Sequence, residues 1–297
     1  MLYNNFSAYL KKRYGGKIKK LCIDGGFTCP NRDGRCGVGG CIFCGERGAG
    51  EHIEPTLSIT DQIRTGLSRK NADGYIAYFQ TFTKTYAPIE ELRRRYDSAL
   101  IDRRIVALAV GTRPDCINRD AAALLSEYKD RLDVWVELGL QTASDKTAKR
   151  INRGYGRKVF EEAMEILAEY GIPVVVHLMI GLPGEGDTEL SETVELINRF
   201  PLFGVKIHSL YVMEGTRLAE EYRRGEFSPI SMETYIKRAA YVLAHISPDV
   251  TVHRLTGDCP KGSLVAPEWN TKKNEIIAGI CRELESRGLR QGMLWKK

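Results

Sequence analysis

Three thiols stand together near the start of the chain, in the stretch Cys29-Pro-Asn-Arg-Asp-Gly-Arg-Cys-Gly-Val-Gly-Gly-Cys41-Ile-Phe-Cys44. A Cys-x2-Cys pair joined to one more cysteine through a Gly-rich loop suits a [4Fe-4S] cluster held at three corners, with its fourth iron open to another ligand. Gly37, Gly39, Gly40 and Gly45 permit the positive backbone angles with which amide N–H groups wrap a compact anion. A structural zinc wants four protein ligands, and Cys22 and Cys36 are near enough in sequence to complete a tetrahedron, although the chain has no second Cys-x2-Cys. A disulfide is the third reading, but eight cysteines scattered over 297 residues without a signal peptide point to a reduced, cytosolic setting. Spacing therefore favours an iron-sulfur cluster, and it leaves Cys36-x4-Cys41-x2-Cys44 open as a competing tripod.

The elements that must carry this loop alternate between strand and helix, which argues for a parallel sheet covered by helices. Residues 4–13 read as a short amphipathic helix and 21–23 as a first strand. A helix follows, capped at Thr60 with Ile63 and Leu67 on its inner side; a second strand fits 75–80, and Pro88 opens the next helix. Apolar runs at 104–110, 132–140, 172–180, 204–210 and 250–255 read as further strands. Their C-terminal ends run into Gly111-Thr-Arg-Pro-Asp115, Gln141-Thr142 and Gly181-Leu-Pro-Gly184, so polar and Gly-rich signals gather at one edge. Parallel α/β sheets and barrels bind ligands at that edge, which predicts one shared pocket. About six such units fit between residues 20 and 260, too few for an eight-fold barrel. We therefore expect an α/β chain with a principal unit over 1–266 and a short C-terminal helical extension over 267–297. That extension holds one helix near 271–287, placed to close an edge or reach a partner.

With 43% hydrophobic residues the chain can bury one large core. No apolar run approaches the ~20 residues of a membrane span, so the protein reads as soluble. Forty-four basic against 38 acidic residues give a formal charge of +6, a mild excess that suits a phosphate-bearing partner without demanding one. The clusters Lys11-Lys12-Arg13, Lys17–Lys20, Arg93–Arg95 and Lys272-Lys273 read as solvated faces.

Cys29-Pro30 through Cys44, with Phe43 inside the Cys-x2-Cys pair, resembles the cluster loop of the radical S-adenosylmethionine (SAM) superfamily. The commonest spacing there is Cys-x3-Cys-x2-Cys. The longer loop of this chain, opening Asp24-Gly-Gly-Phe-Thr-Cys-Pro-Asn-Arg-Asp-Gly34, resembles the YhcC/YtqA-like branch, which is related to Elp3 and coproporphyrinogen dehydrogenase. The resemblance implies a partial (β/α)6 TIM-like barrel with one [4Fe-4S] cluster on Cys29, Cys41 and Cys44, not on Cys36. It implies that the reduced cluster cleaves SAM to methionine and a 5′-deoxyadenosyl radical, with flavodoxin or ferredoxin as a suitable reductant.

The same resemblance supplies candidate SAM contacts. Phe43 lies within the cluster loop, and Gln80 and Thr81 stand where the superfamily often has a Gly-Gly-Glu element; the position matches but the residues do not. Glu137-Leu-Gly-Leu-Gln141 resembles a fourth-strand motif whose Gln meets the ribose, and Arg153 follows at the spacing of an Arg that reaches the methionine carboxylate. His177 stands where the coproporphyrinogen enzyme has a ribose-binding Asp, with a satisfied core histidine as its other reading. Gly181–Gly184 is expected near the adenine, and Tyr86, Tyr211 and Glu214-Gly-Thr216 on the substrate side. Arg113 and Asp115 read as a structural pair, and Cys116, Cys259 and Cys281 as buried small hydrophobes. Family knowledge points to a tRNA substrate, with the C5 side chain of a wobble uridine converted from carboxymethylaminomethyl towards aminomethyl. The alternatives are a small metabolite or a non-catalytic, zinc-stabilised RNA-binding protein. No catalytic side chain and no oligomeric state is assigned, and a cytoplasmic setting is expected.

Overall fold

The computed structural model describes residues 1–48 and 57–296. Among the described residues the strands are β1 (Ile18–Ile23), β2 (Gly74–Phe79), β3 (Ile105–Thr112), β4 (Asp133–Gln141), β5 (Val174–Ile180), β6 (Gly204–Ser209), β7 (Val212–Met213), β8 (Thr251–Arg254) and β9 (Leu264–Ala266). The helices are α1 (Phe6–Tyr14), α2 (Ile59–Arg69), α3 (Ile89–Asp97), α4 (Arg119–Glu127), α5 (Asp145–Arg150), α6 (Arg157–Glu169), α7 (Asp187–Asn198), α8 (Arg217–Arg223), α9 (Met232–His245) and α10 (Lys273–Ser286). Seven strands pair in parallel in the order β1-β2-β3-β4-β5-β6-β8 and curl into a half-barrel, while β7 and β9 form a small antiparallel pair. The six expected β/α units are β1 to β6 with their helices, and β8 adds a seventh strand at the far edge.

Period-two alternation explains which side chains face the helices and which face the lumen. Along β4, Val134, Val136, Leu138 and Leu140 join the core under the helices, whereas Trp135 packs with the lumen set. The same division puts Leu21 and Ile23 of β1, Val176 and Leu178 of β5, and Val205 and Ile207 of β6 into the helix-covered core. The alternate positions Cys22, Glu137, His177, Lys206 and His208 are left to the lumen. Helix α1 plugs the lumen from below, because Phe6 and Leu10 pack with Ile76, Ala107, Ala109, Trp135 and Val175. Phe6 also stacks on His253, with ring centroids 3.6 Å apart.

Two sequence expectations need correction. The cap of α2 is Ser58, whose Oγ accepts from Asp61 N at 3.1 Å, while Thr60 instead donates to Ser98 O at 3.0 Å. The first strand begins at Ile18 rather than Leu21 because Ile18, Lys19 and Lys20 already pair with β2, and this turns Lys20 inward instead of leaving it on a solvated face. Helix α10 buries Ile276, Ile280 and Leu284 in the main core and lies against α9. None of the described helices is long and apolar enough to cross a membrane.

Candidate active site

A cavity of about 660 Å³ opens at the C-terminal ends of the strands, and the thiol-bearing residues Cys29, Cys41 and Cys44 all line it. The loop that brings them there is fastened at several points. Arg32 donates through Nη2 to Cys44 O at 3.0 Å and Gly45 O at 2.5 Å, and Ile42, between the paired cysteines, is buried against Ile151, Leu182 and Leu218. Ile42 N also donates to Ile151 O at 3.0 Å, tying the cysteine loop to the end of α5. Gly39 and Gly40 turn the chain with φ of 77° and 76°. Gly37 serves differently: a Cβ there would sit 2.2 Å from Asn31 Oδ1.

Cys36 is exposed and lies outside the cavity lining, held 3.5 Å from Arg113 Nη2 and 3.7 Å from Asp115 Oδ2. Arg113 and Asp115 form the expected pair at 2.9 and 2.7 Å, and Arg113 Nη1 also donates to Arg153 O at 3.0 Å. Burial, with the neighbouring Cys44 next in weight, pushes the Cys41 thiol up to about 12.

Of the other sequence candidates, Phe43, Gln80, Gln141 and His177 line the cavity. Gln141 has φ of 61°, and the missing side chain at Gly139 makes room for it, since a Cβ there would meet the Gln141 amide nitrogen at 2.7 Å. Thr81 is turned away: it is fully buried, donates to Asp24 Oδ1 at 3.0 Å and accepts from Lys84 Nζ at 2.6 Å. Arg153 also lies outside the lining. After the turn at Asn152 its guanidinium runs back beneath the end of β4, donating to Leu140 O, to Thr142 O at 2.7 Å and to Tyr155 O at 3.1 Å. It therefore positions the strand end that carries Gln141. Tyr211 and His208 reach the cavity, whereas Tyr86, Gly181–Gly184 and Glu214–Thr216 do not, and Glu214 pairs instead with Arg223 at 2.5 Å.

Beneath the strand ends lies a polar network that single-strand patterns did not reveal. Glu137 on β4 is fully buried and receives Tyr78 OH at 2.6 Å, His177 Nε2–H at 3.0 Å, Lys20 Nζ at 3.4 Å and the Lys206 ammonium. Burial alone would raise its carboxyl, but Lys206, Lys20 and the His177 bond overcome this and hold it well below the usual carboxylate range. Burial lowers Lys206 to about 7 against the opposing pull of Glu137. The one available signal was parity: Lys206 and His208 are polar residues two apart, alternating with the apolar Val205 and Ile207.

Burial likewise lowers His177 to about 4, with Lys206 adding to the effect. Because an unfolded histidine titrates near 6.5, the unfolded chain binds more protons between those values, and stability falls as pH drops from about 6.5 to about 4. His208 and His253, lowered by burial as well, act in the same direction. Denaturation of the protein across that window is expected to show a loss on the order of 3 kcal/mol attributable to His177. His177→Gln should flatten the slope while the rest of it remains.

A curled parallel half-barrel with cysteines lining a cavity at its strand ends is the frame of an α/β enzyme that binds its ligands at that edge. The chain belongs to the radical SAM superfamily: the Radical SAM superfamily profile matches residues 31–197, and the Radical_SAM C-terminal domain profile matches residues 203–286. Protein YhcC of Escherichia coli (strain K12) is 38% identical over 295 residues, covering 99% of this chain and 96% of that protein. The uncharacterized protein YtqA of Bacillus subtilis (strain 168) is 37% identical over 300 residues, covering 99% and 93%. A tRNA uridine(34) acetyltransferase of Methanocaldococcus infernus is 31% identical over 206 residues, covering 68% of this chain but 37% of that enzyme. The structure of the archaeal Methanocaldococcus infernus Elp3 with an N-terminal deletion superposes with a TM-score of 0.69 at 21% identity, over 93% of this chain and 64% of that one. This last likeness establishes the fold. The family implies SAM and a [4Fe-4S] cluster as the reacting pair.

Proposed function

We propose that Cys29, Cys41 and Cys44 hold the [4Fe-4S] cluster, that SAM lies beside it along the strand ends, and that the substrate is a tRNA wobble uridine whose C5 carboxymethylaminomethyl group is converted towards aminomethyl. The observation that carries this reading is that Cys29, Cys41 and Cys44 line one cavity at the C-terminal edge of a parallel half-barrel while Cys36 does not; Cys22 and Cys259 line it as well but stand outside the Cys29–Cys44 loop. The donor set suits the group, because soft thiolates select iron-sulfur centres, and a raised thiol such as Cys41 would release its proton on binding the cluster. Arg113 beside the same loop offsets the negative charge of a thiolate set. A cavity of about 660 Å³ also falls within the usual range for small-molecule sites.

When bound, the pair supplies one-electron cleavage of the carbon–sulfur bond of SAM, giving methionine and a 5′-deoxyadenosyl radical. The residues of the chain bind, orient and exclude water. Phe43 and Met179 give the cavity an apolar wall. The Gln141 amide offers both a donor and an acceptor to a ribose diol, and neutral His177, fixed by Glu137, presents a defined ring face. The tRNA reading is supported by the name of the Methanocaldococcus relative and by the mild positive charge of the chain. On this reading the enzyme works in the cytoplasm with a flavodoxin or ferredoxin as its reductant.

Gln141→Ala is expected to weaken SAM binding about tenfold with iron content unchanged, the loss of one well-made hydrogen-bonding group. An unchanged Kd removes Gln141 from the site. The reading as a whole is tested by anaerobic iron and sulfide quantification, then by 5′-deoxyadenosine formation with dithionite and SAM, with and without tRNA from a strain lacking the enzyme. About four irons per chain and tRNA-stimulated 5′-deoxyadenosine are expected. Turnover indifferent to tRNA points to a small metabolite, and zinc without iron ends the radical reading.

A further inference from the structure

The lumen network beneath the strand ends carries more positive than negative charge. Lys20 and Lys206 both reach Glu137, so two ammonium groups face one carboxylate. Arg254, also in the lining, meets Asp258 at 2.9 Å, a carboxylate that Lys273 shares at 3.5 Å. Lys206 is the more deeply set of the two lysines: its side chain is 5% exposed against 26% for Lys20, it lines the cavity, and its remaining protein contact is Tyr78 OH at 3.0 Å. An ammonium donates three hydrogen bonds, so Glu137 and Tyr78 leave one N–H unspent. His208 lies two residues further along β6, on the same lumen face, with its ring 5.2 Å from that of His177. Its Nε2 is buried and has no hydrogen-bond partner among the described residues. A buried cation in excess and a buried imidazole nitrogen without a partner are both costly, and both costs fall when an anion sits between them.

We infer that Lys206 Nζ and His208 Nε2–H form a subsite for a carboxylate group of the substrate, deep in the lumen beyond the strand ends. Two lysine side chains facing one carboxylate favour a monoanion. The plug made by Phe6 and Leu10 of α1 closes the lumen below, so the subsite receives the terminus of a narrow substituent rather than a chain passing through. The subsite rests on the proposal that the substrate enters this cavity, and it deepens it, since a carboxymethylaminomethyl group ends in such a carboxylate. Lys206→Met is the informative variant because it leaves Glu137 with Lys20, Tyr78 and His177, one cation to one carboxylate, and so strands no buried charge.

The test titrates cluster-loaded enzyme, with SAM present and oxygen excluded, by calorimetry with two matched pairs of probes. One pair is 5-carboxymethylaminomethyluridine and its carboxamide; the other is N-benzylglycine and N-benzylglycinamide, which keep the same terminal groups without the uridine. The subsite predicts at least a tenfold preference, by the doubled strength of charge-assisted bonds, for the carboxylate member of each pair. It also predicts that Lys206→Met loses that preference while SAM affinity holds, and that His208→Phe reduces it severalfold. A preference seen only in the benzyl pair keeps the subsite and overturns the wobble-uridine reading. Equal affinity within both pairs, no binding by any of the four probes, or a preference that survives in Lys206→Met overturns the subsite.

Discussion

Cys41→Ala is expected to abolish the absorbance of the reconstituted cluster and, with it, all 5′-deoxyadenosine formation. A cluster held at three corners has no spare protein ligand, so losing one thiolate costs the centre rather than a fraction of its activity. Cys29→Ala and Cys44→Ala should behave alike, because each supplies one of the three proposed corners and lines the same cavity. The fold itself should survive, since the loop is fastened independently by Arg32 to the Cys44 and Gly45 carbonyls and by Ile42 in its apolar pocket. Iron quantification beside circular dichroism separates the two effects. Cys36→Ala is the control and should retain the absorbance, because Cys36 is exposed, is held by Arg113 and Asp115, and does not line the cavity. Loss of the cluster in Cys36→Ala with retention in Cys29→Ala would reassign the ligand.

Glu137→Ala is expected to destabilise the protein by ~3–5 kcal/mol, the usual cost of removing one partner from a buried ion pair. Here one carboxylate answers Lys206, Lys20, Tyr78 and His177 together, so its loss leaves the Lys206 ammonium in the lumen with Tyr78 OH as its partner. Glu137→Gln should cost less, since an amide still accepts a hydrogen bond, although without the charge. The carboxyl of Glu137 is held below its unfolded value, so its contribution is complete above the ordinary carboxylate range and disappears only as pH falls through that range and below. Urea denaturation of the cluster-free protein at pH 7 measures the difference. A change under 1 kcal/mol would mean that water reaches the network and replaces the carboxylate.

The same contrast separates what was legible in the chain from what was not. The cysteine loop was legible because its chemistry is local: Cys41 and Cys44 have two residues between them, and the glycines between Cys36 and Cys41 announce a tight wrap. Strand positions were legible because burial under helices leaves long apolar runs, and each of the runs from 75–80 to 250–255 became a strand of the sheet. Boundaries were weaker where charge interrupted the run, as at Lys19 and Lys20 of β1. Arg153 and Thr81 stood at suggestive spacings, yet the backbone turned both towards protein partners, Arg153 to the carbonyls at the end of β4 and Thr81 to Asp24 and Lys84.

By itself the sequence determined the parallel α/β class and the strand edge at which the cysteine loop and the cavity meet, because each follows from residue type at short range. The lumen network was decided only by the tertiary structure. Lys20, Tyr78, Glu137, His177 and Lys206 come from five different strands, and nothing in the spacing of 186 residues between the first and last states that they meet. They meet because parallel pairing sets Glu137 beside Val175 and His177 beside Lys206, and because the pleat turns these alternate positions into a lumen that the curl of the sheet closes around them. A one-residue slip in any of those registers would send the charges to the helix-covered face, and the energy of burying them unpaired there is what holds the registers where they are.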